Sequence, residues 1–425
     1  MMRLAVIFES SPFDRKGLFN AVHNRVKYLL ATGECIIDVF CVHSRDNAFT
    51  RRVRHTPEVP SVDETVVDGI RYRLLWYRFS ILDNVLLEKL HVRPWLFRRF
   101  MESHVDLLKG YDAVIAHSFC GGLFALAAHE RFGVPYYVTW HGSDVHTHPW
   151  RVPVILEDTR AVMESARCNF FVSRALLDAS ERITSNARKE VLYNGVSEDF
   201  VKYSPEDRAA VRERYGLAPE DKVVAFVGNI VKVKNVLSLP EIFAQVAKGY
   251  DGPLKFWIIG DGKLRKPLEA TMDLSFRPNE VSGEISFFGN QPSPAMPDIM
   301  NCIDVLVLPS LNEGLPLVCA EALSCGAAVV GSDVGGIAEV IGKDNVVPLV
   351  GPNDTDTFPG FPSGPLICTG QEMGNSGSPY DDSFVNGMTE KVVAALTGQS
   401  PFQTLPADIS WARTAALELS ILKSL

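Results

Sequence analysis

Glu313 and Glu321 stand eight residues apart in the stretch DVLVLPSLNEGLPLVCAEALSCGAAVVGSDVGGIAEVI, residues 304–341. An apolar run ends at Pro309, a loop carries Asn312-Glu313-Gly314, and Leu315-Pro316 opens a helix that contains Glu321. At ~1.5 Å rise per residue, eight positions span at most about 12 Å. Two carboxylates at that separation can each accept hydrogen bonds from the hydroxyls of a separate ring, with a diphosphate lying between the rings. Each such bond to a charged acceptor contributes roughly 1.5–3 kcal/mol. The N–H groups of the intervening helix start attract an anion, and Gly314 lets the backbone come close to it. The same letters could build a strand–turn–helix with one capping and one solvated glutamate. The flanking strand, the Gly-x-Pro turn and the later Gly335-Gly336 loop favour the ligand-binding reading.

These residues resemble family-four glycosyltransferases of the GT-B fold. Pro309-Ser310, Glu313-Gly314, Glu321-Ala322, Gly326 and Gly335-Gly336-Ile337-Ala338-Glu339 carry the likeness. The resemblance implies that Glu313 meets the donor sugar and Glu321 the donor ribose, with retention of anomeric configuration and no obligatory metal. It extends to FVGNIVKVKNVLSL, residues 226–239, where the family has Gly-Arg-Leu followed by Glu-Lys-Gly and uses the two cations to grip the diphosphate. Gly228 and Lys234 match, but Asn229 stands where arginine is expected, and Lys232 is the candidate substitute. A carboxamide donates a hydrogen bond without neutralising charge, which matters for a diphosphate leaving group. The strand ends at Gly260 (IIGDG) and Phe288 (FFGN) resemble positions where backbone groups meet the nucleotide base. In the first half, Lys16-Gly17 replaces the family's Gly-Gly beside the acceptor and leaving phosphate, so Gly17 alone carries over. His141-Gly142-Ser143-Asp144 resembles the His-Gly-x-Asp element. It implies that His141 touches the transferred sugar and Asp144 orders the loop.

Two other readings compete. All ten histidines lie at or before residue 148, and His141, Asp144, His146 and His148 fall within eight residues. His-x-His spacing suits a metal-dependent hydrolase, whose remaining ligands would have to be carboxylates. We read His146 and His148 instead as solvated loop residues. Asn229 keeps open a non-catalytic nucleotide-sugar-binding protein.

The elements that must position these residues can be read around them. A chain of 425 residues exceeds what one core serves. Short continuous apolar runs alternate with helical stretches, the pattern of parallel strands buried on both faces. We expect an α/β fold of GT-B type, two Rossmann-like doubly wound domains facing across a cleft. The expected division is 1–200 on the acceptor side, 201–405 for the nucleotide sugar, and 406–425 as a terminal helix returning to the first domain. Residues 351–380, rich in Gly, Pro and Ser, read as a surface excursion.

The eight cysteines are scattered without a Cys-x-x-Cys pair, which points to a reducing compartment rather than a disulfide framework. A net charge of −9 argues against nucleic acid as a partner. The apolar run Leu4–Phe8 is too short for a signal peptide, and acidic Glu9 follows it. Residues 86–108 mix Leu, Trp and Phe with Lys and Arg around Pro94. This pattern suits either a basic face meeting a membrane surface or an amphipathic helix packed on the core. The combined expectation is a cytoplasmic enzyme, peripheral at the inner membrane face, without a cofactor. It would transfer sugar from a nucleotide-sugar donor to a glycan or lipid-linked acceptor in cell-surface polysaccharide or glycolipid synthesis.

Overall fold

Continuous apolar runs become parallel strands in two sheets. The computed structural model describes residues 1–13, 17–44, 59–60, 62–78, 81–276, 283–349, 382–401 and 403–424. Lys16, Cys368 and the 351–380 stretch lie outside the described residues. The chain divides into one unit of residues 1–195 with 408–425, and a second of residues 196–407.

The first unit contains β1 (Met2–Glu9), β2 (Cys35–Ser44), β3 (Glu64–Val67), β4 (Ile70–Tyr77), β5 (Ala113–His117), β6 (Tyr136–Trp140), β7 (Cys168–Phe171) and β8 (Lys189–Val191). Their order is β3-β4-β2-β1-β5-β6-β7-β8, and every pairing is parallel except β3 with β4. Leu4, Ala5, Ile7 and Phe8 are fully buried, as are Val114 to Ala116 in β5, because helices cover both faces of the central strands. The order reverses between β1 and β5. Such a switch point leaves a crevice at the carboxyl ends of the strands, where open α/β sheets bind ligands.

The last helix, Trp411–Ser424, packs in this unit. Ala415, Leu419, Ile421 and Leu422 join the core of Leu4, Val6, Val22 and Val26. Arg25, on the helix Gly17–Ala31, places its Nε 2.7 Å from Glu418 Oε2, with both side chains at most 1 % exposed. Its Nη1 donates to Thr139 Oγ1 at 2.8 Å. Removing one partner of such a buried pair strands the other charge in a medium of low polarity.

The second unit holds β9 (Lys222–Val227), β10 (Leu254–Ile259), β11 (Glu284–Gly289), β12 (Val305–Leu308), β13 (Ala328–Ser332) and β14 (Val346–Val347). They form an all-parallel sheet in the order β11-β10-β9-β12-β13-β14. This is again doubly wound, with the reversal between β9 and β12. Pro316 precedes the helix Leu317–Ser324, while Ser204 caps the helix Pro205–Arg214 by accepting from Asp207 N–H. Both units therefore have the Rossmann-like parallel architecture expected from the sequence.

Candidate active site

In the second unit, the loops that leave β9, β12 and β13 are stitched together by backbone bonds. Leu311 N–H donates to Val233 C=O at 2.8 Å, and Gly336 N–H donates to Gly314 C=O at 3.0 Å. A side chain at Gly335 (φ 51°) would put a Cβ 1.8 Å from the Glu313 carbonyl oxygen. A side chain at Gly260 (φ 124°) would meet the Gly228 carbonyl oxygen at 2.0 Å. Only glycine allows these approaches, which pin the loops at the switch point.

On this frame, Lys234 Nζ lies 2.5 Å from Glu313 Oε1. Ser310 Oγ donates to the same oxygen at 2.7 Å, and Ser332 Oγ in turn donates to Ser310 C=O. One carboxylate oxygen thus takes the ammonium and the hydroxyl, and among the described residues nothing bonds the other, which can accept from a ligand. The side chains of Lys234 and Glu313 keep 20 % and 10 % of their surface, enough for a ligand to reach them.

Glu321 sits in the helix Leu317–Ser324, half-buried. No hydrogen bond or ion pair reaches its carboxylate among the described residues, and burial pushes its pKa up to about 7. Asn229 and Lys232 are exposed on the β9 loop. Leu315 is buried, and Gly314 supplies the carbonyl that holds Gly336. Phe288 lies on the edge strand, with its ring 4.8 Å from Trp257 and 6.4 Å from Tyr215. Its side chain is therefore engaged in an aromatic cluster, and its carbonyl accepts from Gln291 Nε2.

The first unit carries the histidine element. Asp144 is buried, and its carboxylate accepts from His141 N–H at 3.1 Å and Gly142 N–H at 2.8 Å. Burial raises its pKa, with the two backbone bonds opposing that shift. His141 follows β6, and its Nε2 lies 3.1 Å from Nδ1 of His117 at the end of β5. Burial first, and then the Arg25 charge, bring its pKa down to about 3. Gly17 opens the helix Gly17–Ala31, and no atom of the described residues lies within 4 Å of its missing Cβ.

His146 and His148 depart from the solvated-loop expectation. Both are half-buried, with pKa values lowered by burial. His148 packs edge-on against Phe119 at 5.2 Å, and His146 Nε2 is buried without a partner among the described residues. Among the described residues, no three His, Cys, Asp or Glu side chains stand close enough to hold a metal ion. His141 Nε2 is already engaged by His117, so the residues do not form the site that a metal-dependent hydrolase needs.

Two family models match the sequence: "Glycosyl transferase 4-like domain" over residues 27–195 and "Glycosyl transferases group 1" over residues 221–359. The chain belongs to the family-four, group 1 glycosyltransferases. Among its relatives is TuaC of Bacillus subtilis, named for a glycosyltransferase role in teichuronic acid biosynthesis, 29 % identical over 55 % of this chain and 56 % of that protein. Another is the N-acetyl-alpha-D-glucosaminyl L-malate synthase of Bacillus anthracis, 28 % identical over 56 % of this chain and 59 % of that protein. The chain thus matches a little over half the length of these relatives.

Solved structures with the same fold include the sucrose-phosphate synthase of Thermosynechococcus elongatus, with a TM-score of 0.65, 16 % identity, and coverage of 100 % of this chain and 97 % of that one. Anabaena HepE in complex with UDP and glucose gives a TM-score of 0.62 at 16 % identity, covering 100 % of each chain.

Within this family the chain departs at the β9 loop. Asn235 follows Lys234 where the family has glycine. It adopts φ 52°, is 2 % exposed, and neither atom of its carboxamide has a partner among the described residues. Asparagine tolerates this left-handed conformation better than most residues. Sequence reasoning passed over Asn235, Ser310 and His117 as site residues. The Pro-Ser strand end quoted for the family already contained Ser310, whereas His117 becomes visible only once β5 and β6 are paired.

Proposed function

We propose that the chain transfers a glycosyl group from a nucleoside-diphosphate sugar to a hydroxyl of a glycan or lipid-linked glycan, with retention of configuration. The Lys234–Glu313–Ser310 cluster at the second unit's switch point carries this reading. A cation lies beside a carboxylate with one open oxygen, on a glycine-shaped loop frame suited to a diphosphate and a polyhydroxylated ring. The UDP and glucose held by Anabaena HepE support a nucleotide sugar as the donor, and the teichuronic acid in the name of TuaC supports a glycan acceptor.

In this proposal Lys234 leaves Glu313 to neutralise the departing diphosphate, with Lys232 supplying the charge that Asn229 lacks. Glu313 accepts from sugar hydroxyls and Glu321 from the ribose. Gly228, Gly260, Gly314, Leu315, Pro316 and the Phe288 backbone shape the donor pocket. Gly17 and Asp144 serve the acceptor or phosphate loop, and His141 steadies the transferred sugar. The bond from the anomeric carbon to the phosphate oxygen breaks as the acceptor oxygen bonds on the same face. The acceptor's proton passes to the leaving phosphate. Positioning and charge stabilisation supply the rate gain, and the reaction needs no cofactor.

The lipid-linked acceptor and a peripheral, cytoplasmic location belong to the same proposal. The helix Trp95–His104 packs one face on the core, with Phe97 and Phe100 5.8–6.2 Å from the buried Phe124 ring, and leaves its other face exposed. Trp95 is 60 % and Leu90 66 % exposed, and the Arg99 guanidinium lies over the Trp95 ring at 5.6 Å. No helix among the described residues is long and apolar enough to cross a membrane.

The test is a thermal-shift screen of UDP-, GDP- and ADP-sugars, since specific binding raises stability by mass action. It is followed by donor turnover with and without acceptor. One nucleotide sugar should stabilise the wild type and be consumed. Stabilisation without turnover under any acceptor condition would favour the non-catalytic binding protein, and no stabilisation by any of the three would remove the proposal.

A further inference from the structure

Two imidazoles meet at the carboxyl end of the first unit's sheet. His117 ends β5, His141 follows β6, and the strands pair in parallel with His117 opposite Thr139. His117 is 1 % exposed. Its Nδ1 lies 3.1 Å from His141 Nε2, with ring centroids 5.3 Å apart and planes tilted by 32°. The other ring nitrogen of His117, Nε2, is buried without a partner among the described residues. A contact between two ring nitrogens holds one proton, so one ring donates and the other accepts.

The buried guanidinium of Arg25 decides the direction. Its permanent positive charge is placed beside the pair, because its Nη1 donates at 2.8 Å to Thr139, the β6 residue opposite His117, and its Nη2 has no hydrogen-bond partner among the described residues. That charge acts on both rings, adding to the effect of burial in keeping them neutral. If His141 donated, His117 would carry its proton on the buried Nε2, leaving an unpartnered N–H inside a core that already holds a cation. If His117 donates from Nδ1, its buried Nε2 presents a lone pair, the negative end of the ring dipole, to that positive environment. The second arrangement is electrostatically preferred.

We infer that His117 is a positioning residue that fixes His141 as the Nδ1–H tautomer, making His141 a neutral hydrogen-bond donor rather than a base. Its ligand is then an oxygen acceptor, a sugar hydroxyl or phosphate oxygen, and the proton released by the acceptor must go elsewhere. The functional consequence rests on the proposal that His141 meets the transferred sugar; the tautomer does not.

Long-range proton–nitrogen correlation spectra of the full chain labelled at histidine nitrogen read the tautomer directly. The expected result is an imine-type Nε2 and a pyrrole-type Nδ1 for His141. A protonated Nε2 would overturn the inference. In His117→Leu the fixing bond is gone, and Nε2 of His141 should gain proton occupancy; an unchanged tautomer would also overturn it. The kinetic expectation for His117→Leu is a kcat reduced about tenfold with donor KM unchanged, the ratio that corresponds to about 1.4 kcal/mol. His117→Asn, which can still donate to Nε2, should recover most of it. His141→Ala separates the two claims: full activity there would remove His141 from the sugar while leaving the wild-type tautomer spectrum to stand or fall by itself.

Discussion

Glu321→Gln isolates the cost of a carboxylate held without a partner. The side chain is half-buried in the helix Leu317–Ser324, and burial alone moves its pKa from 4.5 to about 7. A folded-state pKa above the unfolded one means that the native state binds the proton more tightly. The resulting stability is fully present below the unfolded value and is lost as pH rises through about 7. At about 1.4 kcal/mol per unit the loss is of order 3 kcal/mol at most, and solvent at the side chain's open edge reduces it to about 2.

Glutamine keeps the shape and removes the titration. The second unit of Glu321→Gln should therefore melt about 4–8 °C higher than wild type at alkaline pH, with the advantage gone at about pH 4.5. The buried histidines give the opposite slope, losing stability as pH falls through about 6.5, but they are common to both proteins and cancel in the difference. The assay is a pair of melting curves at each pH, read as the difference in Tm. A ribose hydroxyl prefers the ionised carboxylate, so donor affinity in wild type should also rise through about pH 7 and be flat in the variant. A Tm difference independent of pH would refute the reasoning, because the carboxyl would then titrate alike in folded and unfolded chains.

Lys234→Ala and Glu313→Ala should each lower kcat by about 100-fold or more at a melting temperature near that of wild type, measured by donor turnover and calorimetry. Gly335→Ala must push a Cβ against the Glu313 carbonyl in a left-handed conformation. It should destabilise the second unit by more than about 2 kcal/mol, read by denaturant titration. Glu418→Ala leaves Arg25 buried and unpaired; a loss of about 3–5 kcal/mol in the first unit is expected, and Arg25→Met with Glu418→Leu should recover much of it. Trp95→Ala should weaken co-sedimentation with anionic liposomes if the exposed face of the helix Trp95–His104 meets a membrane surface.

The parallel strands were legible because strands buried on both faces are written as unbroken apolar runs, such as VLVL at 305–308 and AVIAH at 113–117. The antiparallel β3–β4 hairpin escaped notice. Its signal was the Asp68-Gly69 pair, both at positive φ between two short strands, which is the chemistry of a tight hairpin turn. Glu313, Lys234 and Gly335 were found as types at the right spacing. That Lys234 reaches Glu313 across 79 positions is a consequence of the switch point, since β9 and β12 are neighbours in the sheet but far apart in the chain. The Arg25–Glu418 pair spans 393 positions and had no local pattern to betray it. The direction of the Phe288 ring depended on strand register and packing against Trp257, which a Phe-Phe-Gly-Asn string does not encode.

The central claim is that a nucleoside diphosphate sits on the β9, β12 and β13 loops of the second unit. Amide hydrogen exchange of the full chain, with and without saturating UDP, GDP or ADP, tests it most directly. One nucleotide should slow exchange across residues 228–235, 309–321 and 335–339 together. Protection confined to other segments, or unchanged exchange with all three, would contradict the account.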